Sequence, residues 1–281
     1  MSAHDHHDDT PHEHDLGLAH DLPRLTGTPV PVVERVVGRR RLLGILAGAG
    51  ALTLAGCAAA VTGSSTGSAG TGSAGAGGAI PDETSGPFPG DGTNGPNVLT
   101  ESGVVRSDIR SSFGSLAGTA AGVPLTLTLS VVDASTGAPL PGAAVYLWHC
   151  DRDGAYSLYD VADQNYLRGV QEADASGVVS FASIFPAAYS GRWPHAHFEV
   201  YTDLAAATSG DNATVTSQLA LPEDACAAVY ATDGYDSSVR NLARTSLDSD
   251  MVFRDGYASQ LAVVTGDVTA GMAATLTVGV G

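Results

Sequence analysis

The sequence contains no lysine. All 13 of its Lys+Arg positions are arginine, set against 30 Asp and Glu, which gives a formal charge of −17 over 281 residues. Seven of the acids and five of the arginines precede Cys57, so the remainder carries 23 acids against eight arginines. A chain this poor in positive charge has no basic footprint for a phosphate backbone, and nucleic acid is excluded as a partner. Aromatics make up only 6% while glycine reaches 35 residues, so part of the chain is of low complexity. No internal repeat and no sustained helical period is visible. The apolar run Leu42 to Ala55 is too short for a comfortable membrane span and has the length of a signal-peptide core. Cysteine is limited to Cys57, Cys150 and Cys226. Beyond the first twenty residues, histidine is limited to His149, His195 and His197.

What is present divides the chain into three parts. Residues 1–57 form an N-terminal tail and a signal segment. The polar stretch 1–38, with His4-Asp5-His6-His7-Asp8-Asp9, reads as a disordered tail rather than a metal site. Arg39-Arg40-Arg41 then leads into the apolar run, which ends in Leu54-Ala55-Gly56-Cys57. This ending resembles a bacterial lipobox, with Cys57 the lipidated residue, and the paired arginines resemble a twin-arginine export signal; a plain N-terminal anchor helix is the alternative. Either way the rest of the chain is expected outside the cytoplasm, lipid-anchored at the cell surface or secreted, touching a membrane only through its N-terminus. In an oxidising compartment Cys150 and Cys226 are expected to form a disulfide, the alternative being two buried free thiols. Residues 58–106 are a flexible Ala/Gly/Ser linker followed by an irregular arm rich in Pro, Gly and acid. Residues 107–281 are the folded domain; self-association as a homodimer is left open.

Within that domain, Leu125, Leu127, Leu129 and Val131 alternate with Thr126, Thr128 and Ser130, the period of a half-buried strand. Turn chemistry follows over Asp133–Gly142, then strands at Ala143–Trp148, Val178–Phe181, His195–Tyr201 and Val215–Leu221. A helical turn is expected from Pro222 to Cys226, a short helix or loop over Val239–Leu247, and strands again at Tyr257–Val264 and Ala273–Val280. The loop from Asp151 to about Ala175 and the polar stretch Thr202–Thr214 read as excursions. Short strands separated by turns indicate an all-β fold, a β-sandwich with long loops.

The chemistry gathers around Gly191-Arg192-Trp193-Pro194-His195-Ala196-His197-Phe198-Glu199-Val200-Tyr201. On a strand His195 and His197 share one face while Phe198 and Val200 take the other, so two imidazoles can chelate one metal ion. Glu199 lies in register on the same face and would complete a ferrous-type facial triad. The neighbouring loops instead offer tyrosines, Tyr156 and Tyr189. Trp148 through Ser157 followed by Phe185 through His197, with its first Tyr, second Tyr, Arg and His-x-His in that order, resembles the intradiol ring-cleavage dioxygenases, the family of catechol 1,2- and protocatechuate 3,4-dioxygenase. The likeness runs from about Ser107 to the C-terminus. It implies the β-sandwich core of that family and an Fe(III) cofactor held by Tyr156, Tyr189, His195 and His197. It further implies a catechol-type aromatic substrate and O2 as partners, and cleavage to a muconate-type product. In that family the second tyrosine, here Tyr189, leaves the metal and acts as a base. Arg192 stabilises the carbanion-like ring, and Gln218 matches a glutamine beside the metal site. Where cytoplasmic catechol dioxygenases carry a helical N-terminal domain, this chain has export signal, linker and arm. That places it with secreted single-domain members and implies an open pocket. Tyr146 is expected to pack, Tyr159 and Tyr166 to stand near the entrance, and His149 to be structural. The competing readings are a non-catalytic extracellular sandwich that binds a ligand, and a zinc or copper site on His195, His197 and Glu199.

Overall fold

A computed structural model describes residues 78–209 and 212–281. The tail, the signal segment with Cys57 and most of the linker lie outside the described residues. Among the described residues no helix is long and apolar enough to cross a membrane.

Among the described residues eight strands make two four-stranded sheets. The first is ordered β4 (Val178–Ile184), β1 (Pro124–Asp133), β8 (Gly271–Val280), β7 (Val263–Asp267). The second is ordered β3 (Arg168–Glu172), β2 (Ala144–Trp148), β5 (His195–Tyr201), β6 (Val215–Ala220). The expected β-sandwich is therefore the observed architecture. β1 runs parallel to β8 and antiparallel to β4, with Leu125, Leu127 and Leu129 opposite Met272, Ala274 and Leu276. These residues, with Val131, Val179, Phe181 and Val278, point inward. They meet Val145, Leu147, Ala196, Phe198, Val200 and Leu219 from the second sheet in one core. The period-two pattern of β1 thus does what it must: the leucines are buried, and Pro124, Thr126 and Thr128 face water.

β5 differs, because every one of its residues is buried. Its even-numbered side chains fill the sandwich core. Its odd-numbered side chains enter a second layer on the outer face of the same sheet, covered by loops and by the arm that precedes β1. The arm is irregular but seated. Its Ile80 N–H donates to the Gly279 carbonyl at 2.9 Å, Val98, Leu99 and Val104 are buried, and Val105 bridges to Val170 of β3.

Among the described residues three short helices lie outside the sheets: α1 (Leu204–Ser209), α2 (Glu223–Tyr230) and α3 (Asp236–Leu242). Several sequence expectations need correction. β3 lies inside what reads as a loop, since Arg168-Gly169-Val170-Gln171-Glu172 lacks a clean apolar alternation. α1 occupies the polar excursion after β5. Of Tyr257–Val264 only the end enters β7, the rest being turn closed by the Gln260 and Leu261 N–H groups on the Tyr257 carbonyl. The expected Cys150–Cys226 disulfide is absent, because both thiols are free and buried. They serve separate clusters. Cys226, on α2, packs into the sandwich core and reaches the Leu221 carbonyl, while Cys150, after β2, packs into the outer layer and reaches that of Ala187. Each behaves as a small buried hydrophobe.

Candidate active site

β5 fixes the first two groups. His195 and His197 sit two residues apart on the outer face, and their Nε2 atoms approach to 3.1 Å. The His195 Nδ1 lies 2.5 Å from the Trp193 carbonyl. A carbonyl only accepts, so Nδ1 carries the proton and Nε2 presents a lone pair inward. The His197 ring is held flat against Trp148, ring centroids 4.9 Å apart and 6° from parallel. Burial, with the positive charge of Arg192 behind it, keeps His195 neutral; burial, then the neighbouring His195, does the same for His197.

Two loops deliver the tyrosines. The turn after β2 is shaped by Asp151, whose Oδ1 accepts the N–H groups of Asp153 and Ala155, and it carries Tyr156 inward. The loop after β4 is pinned by α3: the Ala188 N–H donates to Ser238 Oγ, and Asn241 donates to the Ala188 carbonyl. That leaves the Tyr189 oxygen 3.2 Å from His195 Nε2 and 3.4 Å from the Tyr156 oxygen. Burial raises both phenols, Tyr189 to about 12, with Arg192 acting in the opposite direction on each. The structure therefore brings Tyr156, Tyr189, His195 and His197 to one point.

This donor set fits a hard trivalent cation. Its members are two imidazole nitrogens and two phenol oxygens, with the His197 Nδ1 buried and without a hydrogen-bond partner. Ligands about 2.0–2.2 Å from a shared ion lie about 3 Å apart across a right angle, close to the separations found here. Three of the four donors, Tyr156, His195 and His197, are buried, and Tyr189 is half-buried beside them, so a cation would satisfy lone pairs that water reaches poorly. Phenolate oxygen favours Fe(III) over softer ions. Glu199 does not join the set, since its carboxylate takes the Tyr201 hydroxyl at 2.7 Å and faces Thr216. Among the described residues no group of three or more His, Cys, Asp or Glu gathers, which leaves the zinc or copper alternative without its third ligand.

Arg192 is buried beside this cluster. Its Nε donates to Asp250 Oδ2 at 3.0 Å, one Nη donates to Gln218 Oε1 at 2.6 Å, and the other lies 3.5 Å from His195 Nε2. Gln218 is the β6 partner of His197, and its amide also donates to the Thr84 carbonyl of the arm. Asp250 went unremarked in the sequence, where Ser249-Asp250-Met251 lies in a stretch without period or motif. It is fully buried, and it also accepts the N–H groups of Trp193, Val252 and Phe253.

The arm is the second part that sequence reasoning missed. Phe88 packs on Tyr156 and Tyr159, each at 5.0 Å between ring centroids. Gly86, at φ +72°, lies so close to His197 that a Cβ would stand 3.2 Å from the ring Cε1. The arm thus lies directly against the histidine face. Tyr159 clamps the arm, accepting the Gly90 N–H and donating to the Asn94 carbonyl. Tyr166 is buried and donates to Asp151. Tyr146 packs but also donates to the Pro89 carbonyl. His149 stays apart from the metal donors, between Ser183 Oγ and the Cys150 carbonyl.

A family model described as Dioxygenase matches residues 95–221, a span that holds Tyr156, Tyr189, Arg192, His195, His197 and Gln218. Over that span the chain is similar to the intradiol ring-cleavage dioxygenases. A solved structure of an intradiol ring-cleavage dioxygenase from Tetranychus urticae shares its fold, with a TM-score of 0.55 at 22% identity, covering 72% of this chain and 94% of that one. A catechol 1,2-dioxygenase of Pseudomonas sp. (strain EST1001) is 39% identical over 56 residues, which are 20% of this chain and 18% of that relative. The intradiol match leaves out residues 78–94 of the arm, with Gly86 and Phe88, and also Asp250, all of which the folded chain brings to the site.

Proposed function

We propose that the chain is a non-haem Fe(III) dioxygenase that inserts both atoms of O2 into a catechol-type aromatic with intradiol cleavage to a muconate-type product. The observation that carries this reading is the convergence of two phenol oxygens and two imidazole nitrogens within 3.1–3.4 Å of their neighbours. Tyr156, Tyr189, His195 and His197 would hold the metal. When bound, ferric iron draws electron density from a catecholate and makes its ring open to direct attack by O2. The balance closes without a further reductant. The bond between the two hydroxyl-bearing carbons breaks, one O2 is consumed, and its atoms end in the two new carboxyl groups.

The chain's own groups have separable tasks. Tyr189, on the partly exposed side of the cluster, serves as the base that takes a catechol hydroxyl proton at its phenolate oxygen. Tyr156 is held more deeply and stays in place. Arg192 brings a fixed positive charge to the spot where negative charge grows on the ring, and Asp250 and Gln218 aim it. Trp193 keeps His195 in the tautomer that offers Nε2 inward. Export through residues 1–57, with Cys57 lipidated, belongs to the same proposal and is supported by the sequence of that segment.

The test is a visible spectrum and metal analysis of the full chain. Ferric loading should colour it red to burgundy. Adding catechol without air should move the band to longer wavelength, and admitting O2 should restore it as one ring is cleaved per O2 consumed. A protein that stays colourless after ferric loading would sink the proposal.

A further inference from the structure

Arg168 carries a charge that the site described above does not use. It lies at the start of β3, completely buried, in a cross-strand row that runs Arg168, Trp148, His197, Gln218 over four neighbouring strands. The ion pairs among the described residues join Arg110 to Asp108 and Arg192 to Asp250, and none reaches Arg168. Burying a cation without a counter-ion costs several kcal/mol, and an apolar side chain of similar size would fill the same space without that cost.

Neutral acceptors take the place of a carboxylate. Nε donates to Ser157 Oγ at 3.0 Å, and Nη2 to the Ser157 carbonyl at 2.9 Å. Nη1 donates to the Pro89 carbonyl at 2.8 Å and to Tyr146 Oη at 3.2 Å. Ser157 follows Tyr156 directly, and its hydroxyl donates to the Tyr166 carbonyl at 2.6 Å. Pro89 follows Phe88, whose ring rests on Tyr156. Gly90 comes so close, at φ +68°, that a Cβ there would stand 2.9 Å from Nη1. One rigid fork of donors thus grips the backbone beside Tyr156 and the backbone beside the ring that covers it, and refers both to β3.

We propose that Arg168 is a positioning residue for Tyr156, setting the angle and reach of its phenol by fixing Ser157 on one side and the Pro89–Phe88 segment on the other. The inference rests on the reading of Tyr156 as a metal ligand. Lysine is a poorer substitute, since its donors leave from one nitrogen instead of from the three nitrogens that reach Ser157 and Pro89 here.

The test uses the full chain as wild type, Arg168→Lys, Arg168→Met and Ser157→Ala. With ferric iron added, Arg168→Met should shift the tyrosinate charge-transfer band and weaken iron binding at least tenfold, with Arg168→Lys between it and wild type. Resonance Raman should assign the change to the phenolate mode that Tyr156→Phe removes. With no metal added, amide exchange at Gly90 and over Tyr156–Tyr159 should quicken at least tenfold in Arg168→Met. Ser157→Ala keeps the guanidinium and the fold, and should move the band in the same direction by less; it decides the matter if Arg168→Met fails to fold. Variants with wild-type band, iron affinity and exchange would overturn the role of Arg168 alone. A wild-type protein that binds ferric iron with no phenolate band would overturn the ligand reading and the inference with it.

Discussion

The two sheets of the sandwich are built from similar strands but have opposite outer faces. The outer side of β1 presents Thr126 and Thr128 to water. The outer side of β2 and β5 presents Tyr146, Trp148, His195, His197 and Glu199, all buried. The first sheet has one task, closing the core, so its sequence alternates. The second is packed on both faces, and its outward residues must satisfy hydrogen bonds and ring stacking together and, on the proposed reading, hold a metal as well. Stability resides in the layer between the sheets; chemistry resides in the layer outside one of them, and that layer closes only because the arm lies over it.

The largest contrast is between a substitution in the layer outside the second sheet and one on the open face of the first. Tyr156→Phe on the site side should cost about 10³-fold in catechol turnover, on the scale of one strong electrostatic or ligand interaction, and should remove one phenolate component from the ferric spectrum. Thr128→Ala on the other sheet should leave turnover unchanged and stability within about 0.5 kcal/mol. Equal turnover in the two variants would erase the distinction between the faces. Next comes Asp250→Asn. It leaves the buried Arg192 without its counter-charge, so stability should fall by about 3 kcal/mol. The more telling readout is a kcat lower by about 10- to 100-fold with the ferric band in place, since Arg192 is not a ligand. A shifted band with unchanged kcat would show that Asp250 supports the metal instead.

Leu127→Ala probes the other layer. Leu127 is fully buried at the middle of β1, and its truncation should cost about 3 kcal/mol of stability. In molecules that remain folded, the spectrum and kcat per iron should match wild type. Thermal melting and turnover below the transition separate the two effects; a changed band in folded protein would mean that the core sheet tunes the site.

The same contrast explains what was legible in the sequence. β1, β4 and β8 announce themselves by period two, and the sandwich follows. His195 and His197 are visible because a strand puts i and i+2 on one face, and Tyr156, Tyr189 and Arg192 because their order matches a known pattern. β3 was hidden because its outward Arg168 is buried and its Gly169 offers no side chain, so neither polarity nor alternation marks it. Asp250 was hidden because its partners, Arg192 and the Trp193 amide, are 58 and 57 residues away. The cysteines misled because compartment argues for a bridge, whereas packing puts the two thiols in different layers. The arm was discounted on composition, although proline and glycine also build segments that must pass close to a ring.

Gly86→Ala tests that last point and has the smallest expected effect. Alanine at φ +72° costs about 1–2 kcal/mol by itself. Its Cβ would also press on the His197 ring, whose movement the flat stack on Trp148 limits. The arm is the softer partner, held near this point by the Gln218–Thr84 and Arg168–Pro89 hydrogen bonds, and it should lift. Protease cleavage between Ile80 and Gly95 should then quicken and KM for catechol should rise a few-fold, while the ferric band stays within a few nanometres of wild type. Faster cleavage with unchanged KM would make the arm a cover without a part in binding substrate. An altered band with an intact arm would mean that His197 yields first, and that the stack on Trp148 is looser than its 6° geometry indicates.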